Sequence, residues 1–360
     1  MLPREIEDLT PAVLTELLKP SGVLGEGRVV GLRTDDIGTG VGVFGAIGRL
    51  HLVLEGAPDS APKTVVAKLP TTSEANRQVG MALRLYEREA LFFSGIAPRT
   101  TLNLPRCFAN EFDLTDGRFV LLLEDLGHLE AGDQLGGLSE NRATAILQTM
   151  AAFHARWWES SDLAELDWMP KQDDPTFLAA IPGIVSAGLA QLPPLESELP
   201  PGSLDLAQRV DRGFVELIHR CAAGPHTLIH GDLRLDNLFF TPGTNTPIFI
   251  DWQLSLRNRS VYDLVWLIAT SMEPDVQNDA IERLILGYHA ALARNGVKWP
   301  LDNLRTAAAE QAAYLLSGPL SLIGTFDFAN AGDGRAAELT RKWVRRGFNA
   351  AMAFGSYRVI

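Results

Sequence analysis

TLIHGDLRLDNLFFTPGTNTPIFID, residues 227–251, is the stretch that decides the fold. It holds a dense group of unlike polar side chains between apolar runs, then a turn rich in Thr, Pro and Gly, then a second apolar run that ends on Asp251. This order predicts a loop, a strand, a turn and a second strand, which return Asn237 and Asp251 to the same end of a small hairpin. The polar group consists of His230, Asp232, Arg234, Asp236 and Asn237.

These residue types are the ones that phosphoryl transfer from a nucleotide requires. Asp232 is the candidate catalytic carboxylate, which orients the acceptor hydroxyl and takes its proton, while Asn237 and Asp251 are candidate ligands of Mg²⁺. Arg234 follows Asp232 closely and is a second catalytic candidate, as a cation that meets the transferring phosphoryl group, although an exposed loop arginine explains it equally well. The whole stretch also has a structural interpretation, in which Asp and Asn side chains only satisfy the backbone of a turn.

A glycine-rich segment lies upstream. Gly40, Gly42 and Gly45 spell G-x-G-x-x-G, a pattern shared by dinucleotide-binding folds and kinases. A dinucleotide fingerprint opens a helix, whereas residues 47–54 alternate as a strand, which favours a hairpin whose backbone covers nucleotide phosphates. Gly38 precedes the run, so the register of the loop against the phosphates stays open, and a hairpin tip without a ligand is the structural alternative.

A lysine and a glutamate follow in the order that a nucleotide site requires. Residues 64–69, TVVAKL, predict a strand that ends near Lys68, and residues 81–93 predict a helix that carries Glu87 and Glu89. A strand lysine paired with a helix glutamate is how kinases hold the cation that contacts the phosphates. Either glutamate fits this role by position alone.

The sequence around these residues resembles a known superfamily. The spelling H-G-D-x-x-x-x-N followed by I-D-W resembles the catalytic core of aminoglycoside phosphotransferases and choline kinases, with Gly231 where protein kinases carry arginine. V-L-L-L-E-D-L-G, H-A-R-W-W and I-H-G-D-L-R-L-D-N are similar to the bacterial branch close to ecdysteroid-kinase-like proteins. The E-x-x-F-F spelling that begins at Glu89 matches the family and favours Glu89 over Glu87.

The resemblance implies an α+β, two-lobed protein-kinase-like fold. A small antiparallel-sheet lobe, residues 1–125, binds the nucleotide, and a larger, mainly helical lobe, residues 126–360, carries catalysis and acceptor binding. The implied hinge lies near Glu124 and Leu126, whose backbone meets the adenine edge, and the implied cofactors are ATP and Mg²⁺. In such Y-D-L settings the family aspartate, here Asp263, bonds to the catalytic-loop backbone, although a carboxylate that stabilises a helix N-terminus explains it equally well.

Length and composition limit the possible partners. A chain of 360 residues suggests two domains or lobes. Asp and Glu number 44 against 32 Lys and Arg, and the formal charge of −12 argues against nucleic acid or an anionic membrane while mildly favouring a neutral or cationic substrate. Cys107 and Cys221 are far apart, and neither a signal peptide nor a membrane-spanning run is evident, so we expect a reduced, cytoplasmic protein.

The second lobe offers fewer signals. Residues 139–158 predict a long helix with His154 on its apolar face, which is more typical of a core histidine bonded to backbone than of a ligand. Residues 162–226 are punctuated by proline and predict helices, and in this superfamily such an insert shapes the acceptor pocket. In and beside this insert, carboxylates and apolar residues are balanced: Asp162, Glu165, Asp167, Asp173 and Asp174 against Trp157, Trp158, Trp168, Phe177 and residues 181–189.

We therefore expect an ATP- and Mg²⁺-dependent phosphotransferase that moves the γ-phosphoryl group to a hydroxyl of a small molecule, a neutral and partly apolar alcohol. An aminoglycoside or choline kinase with a cationic acceptor is the alternative with the same chemistry. A nucleotide-binding regulator without catalysis is the alternative of another class. Kinase-like proteins that have lost transfer activity usually lack one of the four residues that carry the chemistry. Here all four are present: Lys68, Asp232, Asn237 and Asp251.

Overall fold

The computed structural model describes residues 2–37, 44–113, 115–325 and 334–360. Contacts divide the chain into a first unit, Met1–Glu130 with Ile248–Leu254, and a second unit, Ala131–Pro247 with Ser255–Ile360. The first unit is built on an antiparallel sheet and the second is mainly helical, as the predicted α+β fold requires. The lobe boundary after residue 125 stays a prediction.

The first unit is organised around a five-stranded sheet in the order β1-β2-β3-β5-β4. All neighbouring strands pair antiparallel. The central strands are buried on both faces, so their sequences are nearly continuous apolar runs, whereas β2 alternates. The strands are β1 (Arg28–Asp36), β2 (Gly45–Glu55), β3 (Thr64–Pro70), β4 (Cys107–Asp113) and β5 (Arg118–Glu124).

A short helix, α1 (Pro11–Leu18), packs on one face of this sheet. The Thr10 hydroxyl accepts the Val13 N–H at 3.4 Å, and Pro11 occupies the first helical position, where its missing N–H costs nothing. Leu14 and Leu18 are fully buried in the core of the unit. The cap and the apolar spacing therefore explain why a helix forms here and which side of it is buried.

The segment predicted as one helix over residues 81–93 ends in a π-helical turn (Phe92–Ile96), and two helices share the rest of it: α2 (Glu74–Ala82), which begins upstream, and α3 (Leu85–Leu91). They are separated at Arg84, whose φ of 56° lies in the left-handed region. A residue with a Cβ pays about 1–2 kcal/mol for that conformation. The Arg84 guanidinium forms an ion pair with Glu87 at 2.6 Å, which offsets part of this cost in the first turn of α3.

The second unit contains ten helices among its described residues. The longest predicted one is confirmed: α4 covers 18 residues, and the Ser139 hydroxyl caps it by accepting the Arg142 N–H at 3.4 Å. The helices are α4 (Glu140–Trp157), α5 (Ser161–Ala164), α6 (Pro175–Gln191), α7 (Ser203–Arg212), α8 (Phe214–Ala222), α9 (Val261–Ser271), α10 (Pro274–Arg294), α11 (Leu301–Tyr314), α12 (Ser317–Thr325) and α13 (Arg335–Ala353).

Short strands frame the stretch of residues 227–251. Strand β7 (Thr227–Ile229) pairs antiparallel with β10 (Leu256–Asn258). The strands β8 (Leu238–Phe240) and β9 (Pro247–Phe249) follow on either side of the predicted turn, so the predicted order of elements is correct. A two-residue strand, β6 (Glu130–Ala131), lies where the chain leaves the first unit. In the described part of the chain, none of the helices combines the length and the apolarity that crossing a membrane requires.

Candidate active site

The carboxylate of Asp232 is held on both oxygens within the second unit. The indole Nε1–H of Trp266 donates to Oδ1 at 2.9 Å. Oδ2 accepts the Nδ2–H of Asn237 at 2.9 Å and the Nε–H of Arg234 at 3.1 Å. Asp232 is 8% exposed, so these bonds form with little competition from water. The arrangement fixes the orientation of a carboxylate at the end of strand β7.

The backbone just before Asp232 is held by another carboxylate. Asp263 on α9 is fully buried, its Oδ2 accepts the His230 N–H at 2.7 Å, and its Oδ1 accepts the Gly231 N–H at 3.0 Å. Gly231 has a φ of 81°, which only glycine adopts without steric cost. Asp263 therefore bonds to the loop backbone, and its place in the first turn of α9 also permits the dipole interaction.

His154 is a core residue, as predicted, but its ring bonds to side chains and not to backbone. Nδ1 lies 2.7 Å from the Tyr288 hydroxyl, and Nε2 lies 3.1 Å from Asp263 Oδ2. The expectation of a backbone partner is wrong because the facing helices α9 and α10 present polar groups to this point of α4. His154 thus lies within hydrogen-bonding distance of the carboxylate that holds the loop.

Arg234 lies against its neighbours in the loop. Besides the bond to Asp232, its Nη1–H donates to Gln134 Oε1 at 3.3 Å and lies 3.6 Å from Asp236 Oδ2. The side chain is 16% exposed, so Arg234 is not a freely solvated loop arginine. Its role toward a phosphoryl group stays a prediction.

In the first unit, Lys68 lies between two carboxylates. Its Nζ is 2.6 Å from Glu89 Oε2 and 2.8 Å from Asp251 Oδ1. Glu87 points elsewhere, because residues two positions apart on a helix lie on nearly opposite faces, and it pairs with Arg84. Asp251 has a φ of 64°, a left-handed conformation that aspartate tolerates better than most residues.

Burial and charge act together on this triad. Burial raises the pKa of Glu89 to about 7, an effect that the nearby Asp251 charge adds to and the Lys68 cation opposes. Burial disfavours the charged form of Lys68, but the charges of Asp251 and Glu89 outweigh it and hold the pKa of Lys68 above its ordinary value. Lys68 therefore carries a positive charge at neutral pH, fixed at one point of strand β3.

The remaining candidates for the nucleotide site are the glycines of the glycine-rich segment and the predicted hinge residues. Gly40 and Gly42 lie outside the described residues. Gly45 begins β2, and a Cβ added there would meet its nearest atoms at 3.5 Å, so the packing gives no steric reason for glycine. At the predicted hinge, Glu124 donates its backbone N–H to Arg106 O at 2.8 Å and Leu126 O accepts the Leu129 N–H at 2.9 Å. An adenine contact by Glu124 and Leu126 stays a prediction.

The two predicted metal ligands belong to different units. Asp251 lies in the first unit beside Lys68, and Asn237 lies in the second unit beside Asp232. Their joint coordination of one ion therefore stays a prediction.

Sequence reasoning missed two residues that contact the loop. Trp266 bonds to Asp232, and Gln134 donates its backbone N–H to Asp236 Oδ1 at 2.9 Å while its side chain accepts from Arg234. A signal for Trp266 was present, since positions three apart on a helix share a face and Asp263 was already assigned to the loop. Gln134 lies in a turn region without periodicity, and no pattern marks it.

The fold and the loop define a phosphotransferase of kinase-like architecture. A sequence profile of the Phosphotransferase enzyme family matches residues 58–298, and the chain belongs to that family. No curated protein matches the sequence significantly.

Solved structures support the same fold. Plasmodium vivax ethanolamine kinase is 11% identical, with 94% of this chain and 85% of that chain covered and a TM-score of 0.52. A GDP complex of aminoglycoside 2'-phosphotransferase-IIIa is 15% identical, with 91% and 94% covered and a TM-score of 0.52. A GDP and kanamycin complex of APH(2")-IIia is 16% identical, with the same coverage and a TM-score of 0.51. At these identities the likeness establishes the two-lobed fold alone, and the ecdysteroid-kinase-like branch stays a prediction.

Proposed function

We propose that the chain transfers the γ-phosphoryl group of ATP, in the presence of Mg²⁺, to a hydroxyl of a small, neutral and partly apolar alcohol. The observation that carries this proposal is Lys68, a buried cation 2.6 Å from Glu89 and 2.8 Å from Asp251, in a member of a phosphotransferase family. A fixed cation next to a carboxylate suits nucleotide phosphates and the metal that accompanies them. In this proposal Gly45, Glu124 and Leu126 contribute backbone contacts to the nucleotide.

The donor atoms fit Mg²⁺ bound together with phosphates. Mg²⁺ is usually held by one or two carboxylates plus phosphate oxygens and water, not by a cage of protein ligands. Among the described residues no cluster of three or more His, Cys, Asp and Glu forms such a cage. The Asp251 side chain is 22% exposed. Asn237 donates its Nδ2–H to Asp232, and its amide oxygen, on the other branch of the side chain, is the atom that would bind the ion. When bound, the ion would neutralise charge on the phosphates.

In the proposed reaction the acceptor oxygen forms a bond to the γ-phosphorus, and the bond from that phosphorus to the bridging oxygen of the nucleoside diphosphate breaks. Asp232 orients the acceptor hydroxyl and takes its proton late, because the transition state is loose and little covalent work is left to the protein. Arg234, which stays bonded to Asp232 Oδ2, is the cation that meets the transferring phosphoryl group. Lys68 and Glu89 hold the phosphates in place.

The acceptor insert supports a neutral molecule more than a cationic one. Two of its five candidate carboxylates have structural partners, since Asp162 pairs with Arg156 at 2.6 Å and Asp174 caps α6 through the Thr176 N–H at 2.9 Å. Ile184 is 41% exposed and lies on the apolar run of α6. Trp157 is fully buried and is a core residue, so it is not part of a pocket wall.

A cationic acceptor is the second candidate, and the formal charge of −12 favours it. The test is a coupled assay of nucleoside diphosphate release with ATP or GTP, Mg²⁺ and a panel that holds apolar alcohols, choline, ethanolamine and a kanamycin-type aminoglycoside. We expect apolar alcohols to turn over fastest. Faster turnover of the cationic compounds would overturn the acceptor, and nucleotide binding without any transfer would overturn the enzyme and favour a regulator.

Asp232→Asn is the matched variant for this assay. It keeps the shape of the side chain and removes the proton acceptor, so transfer should fall by about 10²–10⁴-fold while nucleotide affinity stays within a few-fold. The exposed carboxylate Asp275, changed to Asn, is the control. Equal activity of the two variants would contradict the assigned role of Asp232.

A further inference from the structure

Trp266 is the one aromatic side chain, among the described residues, for which a hydrogen bond to Asp232 is resolved. Its indole Nε1–H donates to Oδ1 at 2.9 Å, whereas Oδ2 already accepts from Asn237 and Arg234. Each carboxylate oxygen accepts about two hydrogen bonds. Oδ2 thus has two side-chain donors and Oδ1 has one.

We propose that Trp266 is a positioning residue for phosphoryl transfer, and that the acceptor hydroxyl is received by the remaining lone pair of Asp232 Oδ1. This inference rests on the proposed function. The donor on Oδ1 fixes the rotation of the carboxylate about its Cβ–Cγ bond, so the free lone pair has one direction. A second role follows from the same contact, because the indole lies beside the oxygen that the hydroxyl approaches and limits the bulk of the acceptor there.

The indole is itself held rigidly, as a positioning donor must be. Trp266 is 9% exposed, and its ring packs edge-to-face on Trp343 with 5.6 Å between ring centroids and a 74° angle between planes. A Cβ on Gly318 would lie 3.0 Å from the ring, so glycine at this position lets the helix α12 approach. Tyr262, one turn earlier on α9, lies 6.3 Å from Trp266 between centroids. The donor direction is therefore set before any substrate binds.

The acceptor O–H bond breaks as its oxygen bonds to the γ-phosphorus, and the proton passes to Asp232 Oδ1. The bridging P–O bond breaks, and its electron pair leaves with the nucleoside diphosphate. The Trp266 N–H is not consumed, since it only stabilises the carboxylate before transfer and keeps it oriented.

The first test compares Trp266→Phe with Trp299→Phe. Phenylalanine keeps an aromatic ring and removes the N–H, and Trp299 is a control of equal burial, 8% exposed, that packs on Trp158. Loss of one charge-assisted donor should lower kcat by about 10- to 100-fold in Trp266→Phe, with the KM for nucleotide unchanged. The control should retain its kcat. Equal kcat in both variants, or a loss confined to the KM for nucleotide, would overturn the inference.

A second test needs no activity. In a ¹⁵N-tryptophan spectrum of the full chain, which has seven tryptophans, the indole signal that disappears in Trp266→Phe belongs to Trp266. Asp232→Asn should shift that signal more than the other indole signals, and an unshifted signal would refute the hydrogen bond. This readout separates the two proposals, because absence of transfer by the wild-type chain would refute the proposed function while the indole signal still tests the contact.

Discussion

Replacement of Asp263 by asparagine tests whether one buried carboxylate holds the loop that carries Asp232. Asp263 is fully buried and accepts the His230 N–H on Oδ2 at 2.7 Å and the Gly231 N–H on Oδ1 at 3.0 Å, and Oδ2 also lies 3.1 Å from His154 Nε2. Asparagine keeps at most one of these bonds, because its second branch is a donor that faces an N–H. Loss of a charge-assisted bond, with a buried N–H left unpaired, should cost about 3–5 kcal/mol.

The assay is thermal unfolding, with circular dichroism as the signal. For a unit of the size of the second one, 1 kcal/mol corresponds to about 2–4 °C, so the loss of about 3–5 kcal/mol should lower Tm by about 6–20 °C. Asp275→Asn is the matched control, since Asp275 is an exposed carboxylate in the first turn of α10. If Asp263 only stabilised a helix N-terminus, both variants would lose about 0.3–1 kcal/mol. Equal and small losses would therefore refute the loop-holding role.

Three further predictions concern other parts of the two units. Lys68→Met and Glu89→Gln should each lower Tm, and a double-mutant cycle should give a coupling of about 1–3 kcal/mol, whereas additive losses would mean that the two side chains do not interact. Burial raises the pKa of Cys107 to about 11 and that of Cys221 to about 12, so iodoacetamide at pH 8 should modify native Cys107 about 100-fold more slowly than the denatured chain. These raised thiol pKa values contribute stability that is present below about pH 9 and is lost as pH rises through 11 to 12, a loss that alkaline melting curves should detect. Gly231→Ala should lower the free energy of unfolding, measured by urea titration, by about 1–2 kcal/mol because the φ of Gly231 is 81°, and an unchanged free energy would mean that the loop relaxes.

Local patterns predicted the elements of the fold well. The alternation of residues 47–54, the apolar run of residues 64–69 and the helical period of residues 139–158 depend on neighbours in the sequence, and the structure has β2, β3 and α4 there. The order of the elements could be predicted for the same reason.

The break at Arg84 could not be predicted from the residues around it. Neither Gly nor Pro marks the position, and arginine favours a continuous helix. The left-handed conformation is stabilised by its surroundings, including the ion pair with Glu87 and the burial of Leu85 and Tyr86. Tertiary packing therefore overrides local propensity here, and it sets the face of α3 on which Glu89 meets Lys68.

The contact between Trp266 and Asp232 could be predicted from the sequence only in part. Neither residue has a local pattern that names its partner, because 34 positions separate them in the chain. Helical periodicity would nevertheless have been enough to propose it. If one residue of α9 contacts the loop, the residue three positions later lies on the same face of the helix and is a candidate for the same loop. Applied to Asp263, this rule selects Trp266. The same rule would select Leu267 at the fourth position, but an apolar side chain cannot bond to a carboxylate. Periodicity therefore gives two candidate positions, and the ability of the side chain to donate a hydrogen bond selects Trp266.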